Sequence, residues 1–277
     1  MVNYKSEIGF WLKMAFFPSR LLKRPDYIGN QRGYDKLIIL AHARSGSNLL
    51  SSMLKSHPNI LFFGELFNSV GIYFQNQSFR TLENRSKRLR DKFPICFLNR
   101  YIFRPYSSKV KYVGFKLFPE QIDQVANASG VQLLEWLKHQ KDTKVILLHR
   151  KNLLASIVSF QVAYETKNWQ ATKEERNQVN ITLPYLRANE EFERRESYLE
   201  KMRESLRGMD FYEITYEELT EEIKDSQKDI LEFLGLEYHE LKSNLVKQQT
   251  RNLNEVLENY EELKSQFQGS KWKKFFE

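Results

Sequence analysis

The stretch Lys36-Leu-Ile-Ile-Leu-Ala-His-Ala-Arg-Ser-Gly-Ser-Asn-Leu-Leu50 decides how the rest of the chain is read. Lys36 to Leu40 is a short run of branched apolar residues behind a lysine, the pattern of a buried strand. Ala41 to Asn48 is small and polar. Leu49, Leu50, Met53 and Leu54 then recur on one helical face, and His57-Pro58 ends that helix. The segment is a strand, a tight loop and a helix start. A helix start presents backbone N–H groups that lack partners, together with a partial positive charge. Gly46 allows close approach to the backbone, Ser45 and Ser47 add hydroxyls, and Arg44 adds a cation with a planar donor fork. Such a loop holds a phosphate or sulfate. Taken alone, it fits equally well a helix capped by Ser47 or Asn48.

The same arrangement recurs downstream. Val145 to Leu148 reads as a buried strand ending at His149-Arg150, and a helix from Asn152 to Tyr164 carries Ser156 and Ser159. Two strand mouths, each with an arginine and serines, suit a ligand with two separated anionic groups. Ile60 to Phe63 and Tyr112 to Leu117 read as further strands, the first followed by Gly64-Glu65. Val131 to Lys141 and a charged segment, Ala188 to Leu206, read as helices, the latter stopped by Gly208. Phe211 to Thr215 reads as a strand, Asp229 to Leu234 as a helix closing at Gly235, and Thr166 to Arg187 as a long loop. Strands separated by helices predict an α/β fold with a mostly parallel central sheet flanked by helices. Ligands in such folds bind beyond the carboxyl ends of the strands.

Composition narrows the class. The 277 residues suffice for one core or at most two, and a 41% hydrophobic content argues against wholesale disorder. The single cysteine, Cys96, excludes an internal disulfide and a cysteine zinc cluster. A net charge of +8 and a pI near 9.3 point to an anionic partner without choosing it. Basic residues concentrate between Arg80 and Lys116, acidic ones between Glu190 and Glu262. No apolar run approaches the roughly 20 residues of a spanning helix. Ile8 to Phe17 is short and interrupted by Lys13, and the Arg20, Lys23, Arg24 cluster follows with no cleavage site before it. Residues 1–35 therefore read as a basic amphipathic segment and 36–277 as one domain. Residues 8–24 fit packing on that domain or peripheral contact with the inner face of a membrane, in a cytoplasmic protein.

Taken together, these motifs resemble the sulfotransferase family, most closely bacterial carbohydrate sulfotransferases of the trehalose 2-sulfotransferase type. The resemblance runs from Lys36 to the end of the chain. It includes Ser56-His-Pro-Asn59 with Gly64-Glu-Leu-Phe67, Gly114-Phe-Lys-Leu117, Thr166-Lys-Asn-Trp169, Ile214-Thr-Tyr-Glu-Glu-Leu219 and Phe233-Leu-Gly-Leu236. Asn259-Tyr-Glu-Glu-Leu263 and Gly269-Ser-Lys-Trp-Lys-Lys-Phe275 complete it. It implies a P-loop-like fold and transfer of a sulfuryl group from 3′-phosphoadenosine 5′-phosphosulfate to an acceptor hydroxyl or amine, leaving adenosine 3′,5′-bisphosphate. Arg44, Ser45, Gly46, Ser47 and Asn48 would hold the 5′-phosphosulfate. Arg150 and Ser159, with Ser156 as rival, would hold the 3′-phosphate. Glu65 would be the base, ahead of His42 and His57, and Lys116 would touch sulfate or acceptor. The reaction needs in-line geometry and charge stabilisation that arginine and helix N–H groups can supply, so no metal is expected. The acceptor would be a carbohydrate, a glycolipid or a small metabolite, and Tyr164 to Arg187 with Trp169 would form a lid or a solvated connector.

Two other readings fit parts of the sequence. A nucleotide-dependent transferase such as a kinase is one, although no lysine follows Gly46 and no earlier glycine fills the loop as a triphosphatase P-loop requires. The other is a basic protein that binds RNA or anionic lipid through the Arg80–Lys116 region, stacking bases on Phe93, Phe97, Tyr101 and Phe103. The sulfotransferase reading expects no nucleic-acid partner.

Overall fold

A computed structural model of the protein describes residues 29–74, 77–78, 83–124, 129–169, 179–245 and 251–277. The segment 8–24 lies outside these residues, as does Arg80. Five strands form one sheet: β1 (Asp35–Ala41), β2 (Ile60–Glu65), β3 (Tyr112–Leu117), β4 (Thr143–His149) and β5 (Asp210–Thr215). Their order is β2-β3-β1-β4-β5, and every neighbouring pair runs parallel. A small antiparallel hairpin pairs Tyr73–Phe74 with Gln77–Ser78 outside this sheet.

The strands read as apolar runs because both sheet faces are covered. One face carries Leu37, Ile39, Ile60, Phe62 and Ile146. These pack against Leu50, Met53 and Leu54 of α1 (Ser47–Ser56) and Ile230 and Leu231 of the helix Ile223–Phe233. The other face carries Ile38, Leu40, Phe63, Phe115 and Leu147. It is covered by Leu133 and Leu137 of α2 (Ser129–Lys138) and by Met202 at the end of α4, a helix spanning Tyr185–Ser205. A third core joins Leu154, Val158 and Val162 of α3 (Leu153–Thr166) to Phe192 of α4 and to Phe267, Trp272 and Phe275 of the C-terminal segment. Burial on this scale, at roughly 25 cal/mol per Å² of apolar surface, dominates the folding free energy.

Several boundaries differ from the sequence pattern for identifiable reasons. α4 begins at Tyr185, directly after Pro184 at the N-cap. The helix that closes at Gly235 begins at Ile223, well before Asp229, because its buried face includes the polar Ser226 and Gln227. The aromatic residues Phe97, Tyr101 and Phe103 are buried in the core, so they form no platform for bases; only Phe93 is exposed. Among the described residues, no helix is long and apolar enough to cross a membrane.

Candidate functional site

Strands β1 and β4 are adjacent and in register, with Ala41 opposite Leu148. The chain leaves β1 toward α1 and β2 on one side of the sheet order, and leaves β4 toward β5 on the other. The two strand mouths therefore open onto one crevice, the place where parallel sheets bind ligands. Arg44 and Arg150 stand at these mouths.

The loop after β1 is tightly formed. Arg44 has φ of 68° and Gly46, the N-cap of α1, has φ of 91°, both left-handed. Gly46 is required there for a second reason: a Cβ would come within 2.6 Å of the Tyr216 ring. No side chain caps α1, so neither Ser47 nor Asn48 plays that part. The uncapped first turn keeps donors for an anion. Ser45 is buried and its hydroxyl donates to the His42 carbonyl at 2.7 Å, fixing the loop's shape. Ser156 lies behind the loop, within 3.5 Å of the Ala43 and Arg44 carbonyls, and accepts from Arg195 at 3.1 Å. Ser159 faces the loop's side chain instead: Arg44 Nε donates to its hydroxyl at 3.0 Å. The serine grouped by sequence with Arg150 is thus tied to Arg44.

Arg150 lies 4.6 Å from the centre of the Tyr216 ring, which also packs on Gly46, so one tyrosine separates and aligns the two mouths. Burial, then the neighbouring Arg150 charge, pushes the Arg44 guanidinium down to about 10. It remains charged at neutral pH. Burial also lowers Arg150. Among the described residues the buried Arg150 Nε makes no hydrogen bond, and Glu217 Oε1 stands 3.9 Å from it. Two largely desolvated cations at neighbouring strand mouths, one with an unsatisfied donor, form a setting that favours an anion.

Glu65 and Lys116 meet nearby. One extra residue in β2 between Phe62 and Glu65 brings Glu65 opposite Lys116 of β3. Lys116 Nζ lies 2.9 Å from Glu65 Oε1 and also donates to Asn48 Oδ1, joining the carboxylate to the first loop. Burial lowers the Lys116 ammonium and the Glu65 charge pulls it back up. Glu65 Oε2 accepts from Asn68 at 2.9 Å and from Gln121 at 3.2 Å.

These residues border a cleft of about 730 Å³, whose walls include Arg44, Ser47, Asn48, Glu65 and Lys116. Trp169 and Phe160 close one side, their rings edge-on at 5.6 Å. The Trp169 carbonyl accepts from Arg44 at 2.8 Å and from Asn48 at 3.5 Å. Arg194, Glu191 and Glu120 also line the cleft, with Arg194 bridging the two carboxylates. His42 is buried and paired with Glu120 at 3.3 Å, while His57 is buried and accepts from the Asn59 N–H. His149 pairs with Glu213 at 2.9 Å. Gln121, Glu120, Arg194 and Arg195 were not singled out by the sequence, and Tyr216 stood there only within the motif Ile214 to Leu219, without a role.

A parallel sheet with a tight, glycine-turned loop after β1 and a second cation at the neighbouring mouth is the form of an α/β protein that takes its ligand at the carboxyl ends of its strands. The chain belongs to the sulfotransferase family, whose family model matches residues 36–240. It is 28% identical over 246 residues to Nodulation protein H of Rhizobium tropici, covering 88% of this chain and 93% of that protein. It is also 28% identical over 244 residues to Nodulation protein H of Rhizobium meliloti (strain 1021), covering 86% and 94%. Among solved structures it is similar to the sulfotransferase domain from the curacin biosynthetic pathway, at 15% identity and a TM-score of 0.42 over 82% of this chain and 83% of that one. Mouse sulfotransferase SULT7A1 complexed with PAP matches at 15% identity and a TM-score of 0.39 over 79% of this chain; the match spans 64% of that one. The protein is an enzyme that transfers a sulfuryl group from 3′-phosphoadenosine 5′-phosphosulfate to an acceptor. The uncapped turn of α1 and the unsatisfied Arg150 Nε fit a ligand with two anionic groups.

Proposed function

We propose that the crevice between β1 and β4 is the donor site and the cleft beside Glu65 the acceptor site of this sulfotransferase. Arg44, Gly46, Ser47 and Asn48 hold the 5′-phosphosulfate at the start of α1, in a loop shaped by Ser45. Arg150 holds the 3′-phosphate, and Ser159, whose hydroxyl proton is free to donate while its oxygen accepts from Arg44, links the two ends. The single observation that carries this reading is the pair of half-buried guanidiniums at neighbouring strand mouths, one with a donor unsatisfied among the described residues.

The donor supplies an activated sulfuryl group. Arg44 and the α1 N–H groups offset the charge that grows on the departing phosphate oxygen. Loss of one such donor typically costs about a hundred- to a thousand-fold in rate. Glu65 accepts the acceptor's proton. Its Oε2 already takes two hydrogen bonds, so Oε1, beside Lys116, is the oxygen with a lone pair open to the acceptor hydroxyl. Lys116 steadies that carboxylate and, through Asn48, its distance from the donor loop.

The acceptor is a hydroxyl-bearing carbohydrate, glycolipid or small metabolite. A lining that combines the aromatic rings of Trp169 and Phe160 with charged and amide groups supports a polyhydroxylated molecule with an apolar face. Residues 36–277 form one domain preceded by the basic segment 1–35. A cytoplasmic location with peripheral contact at the inner face of a membrane through residues 8–24 rests on the basic cluster Arg20, Lys23 and Arg24.

Incubation with donor labelled in its sulfuryl group and a panel of sugars, glycolipids and small alcohols tests the reading. Label transferred to an acceptor without added ATP is expected. Magnesium-dependent consumption of ATP, with no label transferred, would refute it in favour of a kinase.

A further inference from the structure

α4 carries Arg195, whose side chain is only 3% exposed, inside a helix that is otherwise largely polar and solvated. Burying a guanidinium is costly unless its donors are paired, and here one partner is a carbonyl of the donor loop and another a serine that itself reaches that loop. Nε donates to Glu191 at 3.3 Å. One terminal nitrogen donates to the Ala43 carbonyl at 3.3 Å and to the Ser156 hydroxyl at 3.1 Å. Ser156 in turn reaches the Ala43 and Arg44 carbonyls. Arg195 touches none of the loop's donors, only its acceptors.

A second route joins the same helix to the same loop. Arg194 bridges Glu191 and Glu120, and Glu120 pairs with His42, the residue before Ala43. The His42 carbonyl is engaged by Ser45. The Ala43 and Arg44 carbonyls are therefore held from the side of the fold, and the His42 carbonyl by the loop's own Ser45. Arg44 itself occupies the left-handed region, which is unfavourable for a non-glycine residue and persists only when its surroundings impose it.

We propose that Arg195 is a positioning residue for the donor loop. Acting with Ser156, it pulls the loop's carbonyls inward, sustains the left-handed turn at Arg44, and thereby turns the loop's N–H groups and the Arg44 guanidinium toward the 5′ end of the nucleotide. The inference rests on the donor-site reading given above. It assigns no contact between Arg195 and the nucleotide.

The test is calorimetric or competition binding of three probes: adenosine 3′,5′-bisphosphate, adenosine 5′-monophosphate and adenosine 3′-monophosphate. Wild-type protein is compared with Arg195→Lys, which keeps the charge but loses the planar fork, and with Ser156→Ala. Expected for Arg195→Lys is about tenfold weaker binding of the two probes carrying a 5′-phosphate, with the 3′-monophosphate unchanged. Ser156→Ala should weaken the same two probes, and the double variant should bind no more weakly than Arg195→Lys alone. If Arg195→Lys does not fold, Ser156→Ala carries the test on the same three probes. Folded variants that bind all three as wild type does, or that lose all three equally, overturn the inference while leaving the donor site standing. A folded wild type that ignores the bisphosphate overturns the donor site and this inference with it.

Discussion

Lys116 Nζ and Glu65 Oε1 lie 2.9 Å apart across neighbouring parallel strands, in a pair whose lysine is almost wholly buried and whose carboxylate faces the cleft. Removing one partner of such a pair strands the other charge, at a typical cost of about 3–5 kcal/mol. Glu65→Gln should therefore do two things. Transfer should fall by about a hundredfold or more, the usual range for losing a general base, while adenosine 3′,5′-bisphosphate still binds. The melting temperature should also drop. Adding Lys116→Met should recover melting temperature without recovering transfer. Near-normal turnover in Glu65→Gln would remove this residue as the base.

Gly46 meets two constraints at once: a φ of 91° and a ring 2.6 Å from where a Cβ would stand. Gly46→Ala should lower stability by about 1–3 kcal/mol and weaken bisphosphate binding by about tenfold. Gly46→Ala with Tyr216→Ala should relieve the clash but not the backbone strain, so melting temperature should recover only in part. Thermal melts and calorimetry read both effects. An unchanged melt and affinity in Gly46→Ala would contradict the packing described.

Burial pushes the Glu120 carboxyl up, but the hydrogen bond and charge of His42, with Arg194 beside it, overcome this and hold it at about 2. A carboxyl lowered in the folded state stabilises the fold above its ordinary value of 4.5 and loses that contribution as pH falls toward 2. Urea denaturation at pH 7, 4.5 and 3 should show a steeper loss of stability for wild type than for Glu120→Gln below pH 4.5. Curves that stay parallel through this window would show that Glu120 contributes nothing there.

Much of the fold was legible in the sequence because the central strands are buried on both faces and so appear as uninterrupted branched runs. Tyr112 to Leu117 matches β3 end to end, and the runs at Lys36 and Val145 lie within β1 and β4. The helix Ile223–Phe233 was read short because Gln227 is buried for its hydrogen bonds to both backbone groups of Leu241, a role that hydrophobic periodicity cannot register. The loop at Arg44 and the strand mouth at Arg150 stood out because glycine, serine and arginine follow an apolar run. The meeting of Glu65 with Lys116 depends on sheet order and on one extra residue in β2, which spacing does not encode. Arg195 was hidden among the exposed charges of its own helix. Tyr216 had a local signal in the Thr215–Glu218 capping box, which sets its position at a helix start directly after β5.

The most direct test of the central claim is calorimetric titration of adenosine 3′,5′-bisphosphate into wild-type protein, Arg44→Met and Arg150→Met. Binding of one nucleotide per chain is expected for wild type, weaker by about tenfold or more in each variant, since each guanidinium makes charge-assisted hydrogen bonds to a phosphate. Arg150→Met should in addition bind the bisphosphate no better than the 5′-monophosphate. A folded wild type that releases no heat with this nucleotide, or variants that bind it undiminished, would contradict a donor site built from Arg44 and Arg150.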